Sequence, residues 1–219
     1  MHRGFHLGHC PRTCRWIARK LNVTTQDVRF DVIAAGFSGD DATARKALTH
    51  QDPLVRASAL RALHRMGHIT TEELRASLQD AEPEVRRTAV ECAVAFPDVE
   101  VHLLLHDTDV FVSEMTAWCL GERAVTDIEL DALIEATTTH PEAIVREASA
   151  AALGSIGDER GLPAILTACN DKPAVRRRAV LALAPFDGDD VQLALENALS
   201  DRDWQVRQNA EDMLHPRGY

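Results

Sequence analysis

A short phrase recurs along this chain at intervals of about thirty residues, and little else in the sequence constrains the fold as strongly. It begins with an acid or turn residue, often followed by Pro. Val-Arg comes next, and then small or apolar residues at fixed offsets. Asp52-Pro53-Leu54-Val55-Arg56 is followed by Ala59, Ala62 and Leu63, and Glu82-Pro83-Glu84-Val85-Arg86 by Ala89, Cys92 and Ala93. Further copies are centred on Val145-Arg146, Val175-Arg176 and Val206-Arg207. Two degenerate copies complete the series: Val28-Arg29, and Asp109-Val110-Phe111-Val112-Ser113 in the middle. Successive valines are separated by 27, 30, 27, 33, 30 and 31 residues. Offsets of four, seven and eight from each valine share one face of a helix. The acid three residues before the valine is placed as an N-cap, and a Pro just after it suits the first turn.

A second helical pattern fills the rest of each unit, as in Thr71 to Leu78, Ile128 to Ala136, Leu162 to Cys169 and Val191 to Leu199. Breaks fall at Gly67, Gly121, Gly157 and Gly188. A pair of helices this short cannot bury its own apolar stripe, but stacked pairs can, and the result is a solenoid. The composition agrees: 32 of 219 residues are Ala and only 5% are aromatic, which suits close helix packing.

The phrase, its period and the Ala/Leu-rich helices resemble HEAT repeats, in particular the short HEAT-like class named after phycobilisome (PBS) lyases. The resemblance runs from Asp27 to Leu214, about six and a half units. It implies an all-α, right-handed α-α superhelix of the HEAT/armadillo type, with about six to seven helix pairs in a domain over 27–219. It also implies that the second helix of each pair lines the concave face. That face would then carry Glu72, Glu73, Asp98, Glu100, Asp127, Asp131, Glu135 and Glu196. In such repeats an acid and an arginine of neighbouring units pair in an internal ladder. The motif acids are Asp52, Glu82, Asp109, Glu142 and Asp203; the arginines are Arg29, Arg56, Arg86, Arg146, Arg176 and Arg207.

Charge divides the chain. Residues 1–26 contain Arg3, Arg12, Arg15, Arg19 and Lys20 and no acid, a charge of +5, while the whole chain carries −10 and the remainder therefore −15. The leader reads as a flexible extension with no part in the activity, since it has neither the serines of a transit peptide nor a signal-length apolar run. An acidic body argues against generic nucleic-acid binding. No stretch free of charged side chains exceeds ten residues, so no segment is long and apolar enough for a membrane helix. Five cysteines do not make a disulfide framework; Cys92, Cys119 and Cys169 read as buried thiols of a reducing cytoplasm.

Candidate chemistry is sparse. His6, His9, Cys10 and Cys14 are metal-ligating types, but their spacing is cramped for four ligands of one ion. Asp98, His102 and His106 align at helical spacing, yet the outer two stand about 12 Å apart along a helix axis. His102 and His106 remain metal candidates only with help from another repeat, and no metal or cofactor is expected. None of the ten histidines precedes Glu, unlike the His-Glu dyads of HEAT-repeat deoxyhypusine hydroxylases. The middle unit breaks the pattern: Ser113 replaces Arg, and Trp118 stands where other units have Arg61, Glu91, Ala151 or Leu181. A broken repeat marks a bend or a docking site. The favoured reading is an adaptor in the cytoplasm that binds a protein partner with a basic patch or helix, with contacts at Trp118, Asp131 and Glu135. The alternative is an enzyme or lyase-type partner subunit built on the same scaffold, either PBS lyase-like or metal-dependent.

Overall fold

The computed structural model describes residues 24–215, and these form helices with no strand among them. In chain order the helices are α1 (Thr25–Ser38), α2 (Asp41–Ala47), α3 (Pro53–Met66), α4 (Thr71–Ser77), α5 (Pro83–Ala93), α6 (Val110–Gly121), α7 (Asp127–Thr139), α8 (Ala143–Ile156), α9 (Leu162–Ala168), α10 (Pro173–Ala182), α11 (Asp189–Ala198) and α12 (Trp204–Leu214). A 3-10 turn, His102–His106, stands where a helix between α5 and α6 would belong. Each Val-Arg phrase opens α3, α5, α6, α8, α10 or α12, or lies in the first turn of α1, so the units number six pairs and a half. The valines from Val55 to Val206 are all buried. Asp52, Asp109 and Asp203 cap their helices by accepting a backbone N–H two residues on, whereas Glu82 and Glu142 hold the same position without that bond. Thr24 and Asp27 form a capping box at the start of α1.

The helices make two layers, and the Val-Arg helices form the tighter one. A Cβ added to Gly36, Gly121 or Gly154 would stand 2.9, 2.8 or 2.7 Å from the Cα of Ala62, Ala152 or Ala182 in the next Val-Arg helix. Backbones this close admit no side chain between them. In the other layer, α2 and α4 barely meet, and neither do α9 and α11. In a curved double layer the more closely spaced helices lie on the inside of the arc. The expected assignment is therefore reversed: the first helices are the inner layer. Glu72, Glu73, Asp127, Asp131, Glu135 and Glu196 stand on outer helices, and Asp98 and Glu100 in an outer loop.

The expected ladder is present, but with different acids. Arg56 makes a fork of two hydrogen bonds to Asp80 (2.8 and 2.7 Å), and Arg86 does the same to Asp107 (2.8 and 2.7 Å). Arg146 pairs with Asp171 (2.6 and 2.8 Å), and Arg176 with Asp201 (2.8 Å each). Each of these acids lies one or two residues before the N-cap, where it also accepts a backbone N–H of its own loop. The motif acids Asp52, Glu82, Asp109, Glu142 and Asp203 occupy the N-cap position instead; Asp203 does reach the preceding unit, but it pairs with Arg177 and not with the motif arginine. Each arginine further donates to carbonyls of the loop before its own helix, such as His50 and Gln51 for Arg56. One guanidinium thus ties two consecutive units. The arginine bonds hold the Asp171 and Asp201 carboxyls below the usual range.

Two rungs are missing. At the equivalent loop positions stand His50 and His140, whose Nδ1 atoms accept the N–H of Asp52 (3.0 Å) and Glu142 (3.2 Å) in place of a carboxylate. Facing the second gap is Ser113, and Arg29 in the first unit bonds Ser58 Oγ instead. The third unit has its own irregularity. With no outer helix, the carbonyls of Ala93, Phe96 and Val99 are gathered by Arg123, which also pairs with Glu129. Both side chains of that pair are 2% exposed.

Candidate functional site

The inner layer carries an open groove of about 750 Å³ over α6 and α8, flanked by α5 and α10. Its floor is made of small residues: Gly121, Ala148, Ala151 and Ala152. Gly121 and Ala152 are the pair at which α6 and α8 approach closely, so the packing that builds the solenoid also hollows its surface. Trp118 stands in the groove, 44% exposed, with Met115 beside it and Ile144 opposite. Glu114 and Trp118 on α6 and Glu122 at its C-cap follow one another at single-turn spacing. Glu91 on α5 and Glu147 on α8 add their carboxylates from either side. Arg178, on α10, is the one basic residue in the lining; its Nε lies 3.9 Å from Glu147. Burial, and then the neighbouring Glu147, push the Glu114 carboxyl above its usual range, while Arg87 pulls the other way.

Of the three residues expected to meet a partner, the structure places Trp118 in this groove. Asp131 and Glu135 are exposed on α7, one turn apart, in the outer layer and outside the groove lining. Sequence reasoning missed Glu114 and Glu147. The available signal was their shared offset of two residues from Val112 and Val145, which places them side by side in consecutive units.

The expected helical alignment of Asp98, His102 and His106 does not form. Asp98 lies in a turn and His102 and His106 in a 3-10 turn, so the α-helical spacing that would align them is absent. His106 stacks on His140 instead, ring centroids 5.7 Å apart, beside the rung gap at Ser113. Burial holds the His140 imidazole below its ordinary range. Among the described residues no three His, Cys, Asp or Glu side chains are arranged to hold a metal ion. His6, His9, Cys10 and Cys14 lie outside the described residues. Cys92 and Cys119 are buried thiols, pushed up to about 12 and about 11 by burial, and Cys169 is half-buried. No described helix is long and apolar enough to cross a membrane.

The family described as HEAT repeats matches residues 42–102 and 101–184, more than half of the chain. No protein of curated function matches it. Among solved structures, YibA of Escherichia coli superposes with a TM-score of 0.60 at 18% identity, covering 85% of this chain and 74% of that one. A designed armadillo repeat protein, solved in complex with the peptide (KR)4, gives a TM-score of 0.53 at 17% identity, with 78% of this chain and 96% of that one covered. An engineered protein gives 0.52 at 18% identity, over 84% and 59% of the two chains. At these identities the likeness is one of fold.

Proposed function

Since this chain belongs to the HEAT-repeat family, we propose that it is a protein-interaction scaffold whose inner groove receives a basic segment of a partner. The observation that carries this reading is the composition of the groove: an exposed tryptophan on a floor of small residues, with four glutamates and one arginine around it. Apolar floor and aromatic wall supply contact area, and the carboxylates select and steer a basic partner. The same field repels phosphate backbones, so the partner is a protein and not a nucleic acid. A designed armadillo protein of similar fold is solved with a basic peptide, which accords with this use of a helical solenoid. The unpaired buried thiols Cys92 and Cys119 suit an adaptor working in a reducing compartment such as the cytoplasm.

A photo-crosslinking amino acid placed at Glu122, in the groove, and separately at Glu135, on α7, tests the reading in extracts of the native cells. Adducts from position 122 that map to a Lys/Arg-rich segment and disappear at high salt are the expected result. Adducts from position 135 alone would move the interface to the outer layer. Salt-insensitive adducts, or none from either position, would refute a charge-steered groove.

A further inference from the structure

Positions in the inner layer repeat with the Val-Arg phrase, so equal offsets from the valines form rows across neighbouring helices. The row two residues after the valine reads Arg87, Glu114, Glu147, Arg177. Its arginines lie near its glutamates, but each makes its closest bond elsewhere, and neither pairs with them within 4 Å among the described residues. Arg87 bonds Glu84 at 2.6 Å, and Arg177 bonds Asp203 at 2.8 Å. Glu114 and Glu147 are left as neighbours of like charge; Arg178 reaches Glu147 at 3.9 Å, and Glu114 has no ion pair within 4 Å among the described residues. The row six residues after the valine reads Arg61, Glu91, Trp118, Ala151, Leu181. Arg61 and Glu91 bond each other at 3.1 Å, while Ala151 leaves the space beside the Trp118 ring unfilled. An aromatic face, an empty space beside it and two carboxylates one turn away therefore meet at the α6–α8 step.

We propose that this step is an arginine-reading pocket: one arginine of the partner lays its guanidinium against Trp118 over Ala151 and donates to Glu114 and Glu147. The inference rests on the groove taking a basic segment and names the residue that sets its register. Arginine is preferred to lysine for two reasons. A planar, weakly hydrated guanidinium stacks on an indole, and its fork of N–H groups can span two carboxylates. An ammonium is a compact, strongly hydrated charge that loses more on entering an apolar groove. Glu114, half-buried and beside a like charge, gains a counter-charge when the pocket is filled.

The test titrates the full chain with fluorescein-labelled alternating Gly-Arg, Gly-Lys and Gly-Glu peptides, followed by anisotropy at low and high salt. The Gly-Arg peptide should bind about tenfold more tightly than its Gly-Lys twin, and the Gly-Glu peptide not at all. Trp118→Leu should bring the two basic peptides to similar affinity. Glu114→Gln with Glu147→Gln should weaken both by about tenfold or more. Trp204→Leu, on an exposed tryptophan outside the groove, should change neither, and far-UV circular dichroism confirms that every variant is folded. Equal affinity for the Arg and Lys peptides, or a preference that survives Trp118→Leu, overturns the arginine pocket and leaves the basic-segment reading standing. Failure of both basic peptides to bind overturns that reading, and the pocket with it.

Discussion

Arg123 does the work of a missing helix. The unit from Val85 to Val112 has no α-helix in its outer layer, and the chain crosses from α5 to the 3-10 turn as an irregular loop. Three carbonyls at the end of α5 and in that loop, those of Ala93, Phe96 and Val99, need a partner, and a buried carbonyl without one costs about 1–3 kcal/mol. One nitrogen of Arg123 takes all three, at 3.3, 2.9 and 2.9 Å. Its other terminal nitrogen is held by Glu129, whose second oxygen accepts the N–H of Thr126 and so starts α7. Loop closure and helix initiation thus share one buried ion pair. Arg123→Met should cost about 3–5 kcal/mol, because it strands a carboxylate and three carbonyls together. In urea unfolding, adding Glu129→Gln to that variant should restore part of the loss by removing the stranded charge. A single-variant cost below about 1 kcal/mol would mean that the loop closes without the pair.

At the scale of helices, the ladder explains why two of the units look degenerate. Between α6 and α8 both halves of the rung are replaced at once, arginine by Ser113 and aspartate by His140, so neither side strands a charge. The step is held by packing at Gly121 and Ala152 and by the His106–His140 stack. Ser113→Arg with His140→Asp should rebuild the rung. Each single change buries an unpaired charge and should destabilise; together they should recover at least about 1 kcal/mol of coupling in a double-mutant cycle. Additive single effects would show that the step has closed too tightly to admit a guanidinium. How much of this was legible from sequence differs by element. The valine spacing announces every inner helix, because its side chains must be buried at fixed offsets. The ladder acids were misplaced because Asp80, Asp107 and Asp201 sit in loops, where the residue two before the cap is as often read as part of the turn. His50 and His140, which keep the loop bond and drop the charge, hid the column further. The groove was half legible: Trp118 broke a visible pattern. The incomplete pairing of Glu114 and Glu147 depends on bonds that Arg87 and Arg177 make elsewhere, and no spacing rule contains that.

The repeats of the described residues have two unlike ends. A stack of repeats buries each inner helix between two others, except the first and the last, whose outer faces must be polar or covered. The C-terminal helix α12 meets this demand along most of its length, with Arg207, Glu211 and Asp212 exposed. Helix α1 does not. Val32, Ala35 and Gly36 are buried toward the next unit, and on the opposite side Phe30, Ile33 and Phe37 are 61%, 38% and 73% exposed. These three recur at helical spacing, like the core stripe of any inner helix. Leu54, 43% exposed, extends the apolar surface onto α3, and the guanidinium carbon of Arg65 lies 4.0 Å from the Phe37 ring centroid. A contiguous apolar stripe on a helical end drives association. Sedimentation velocity over a concentration series should therefore show reversible self-association, and Phe30→Glu with Phe37→Glu should abolish it. Because both rings are exposed, the double variant should lose less than about 1 kcal/mol of stability as a monomer. A chain that is monomeric at every concentration, and that loses several times that amount on the double substitution, would show the stripe to be covered within the chain itself. The end of the solenoid would then be part of the folded unit and not a contact surface.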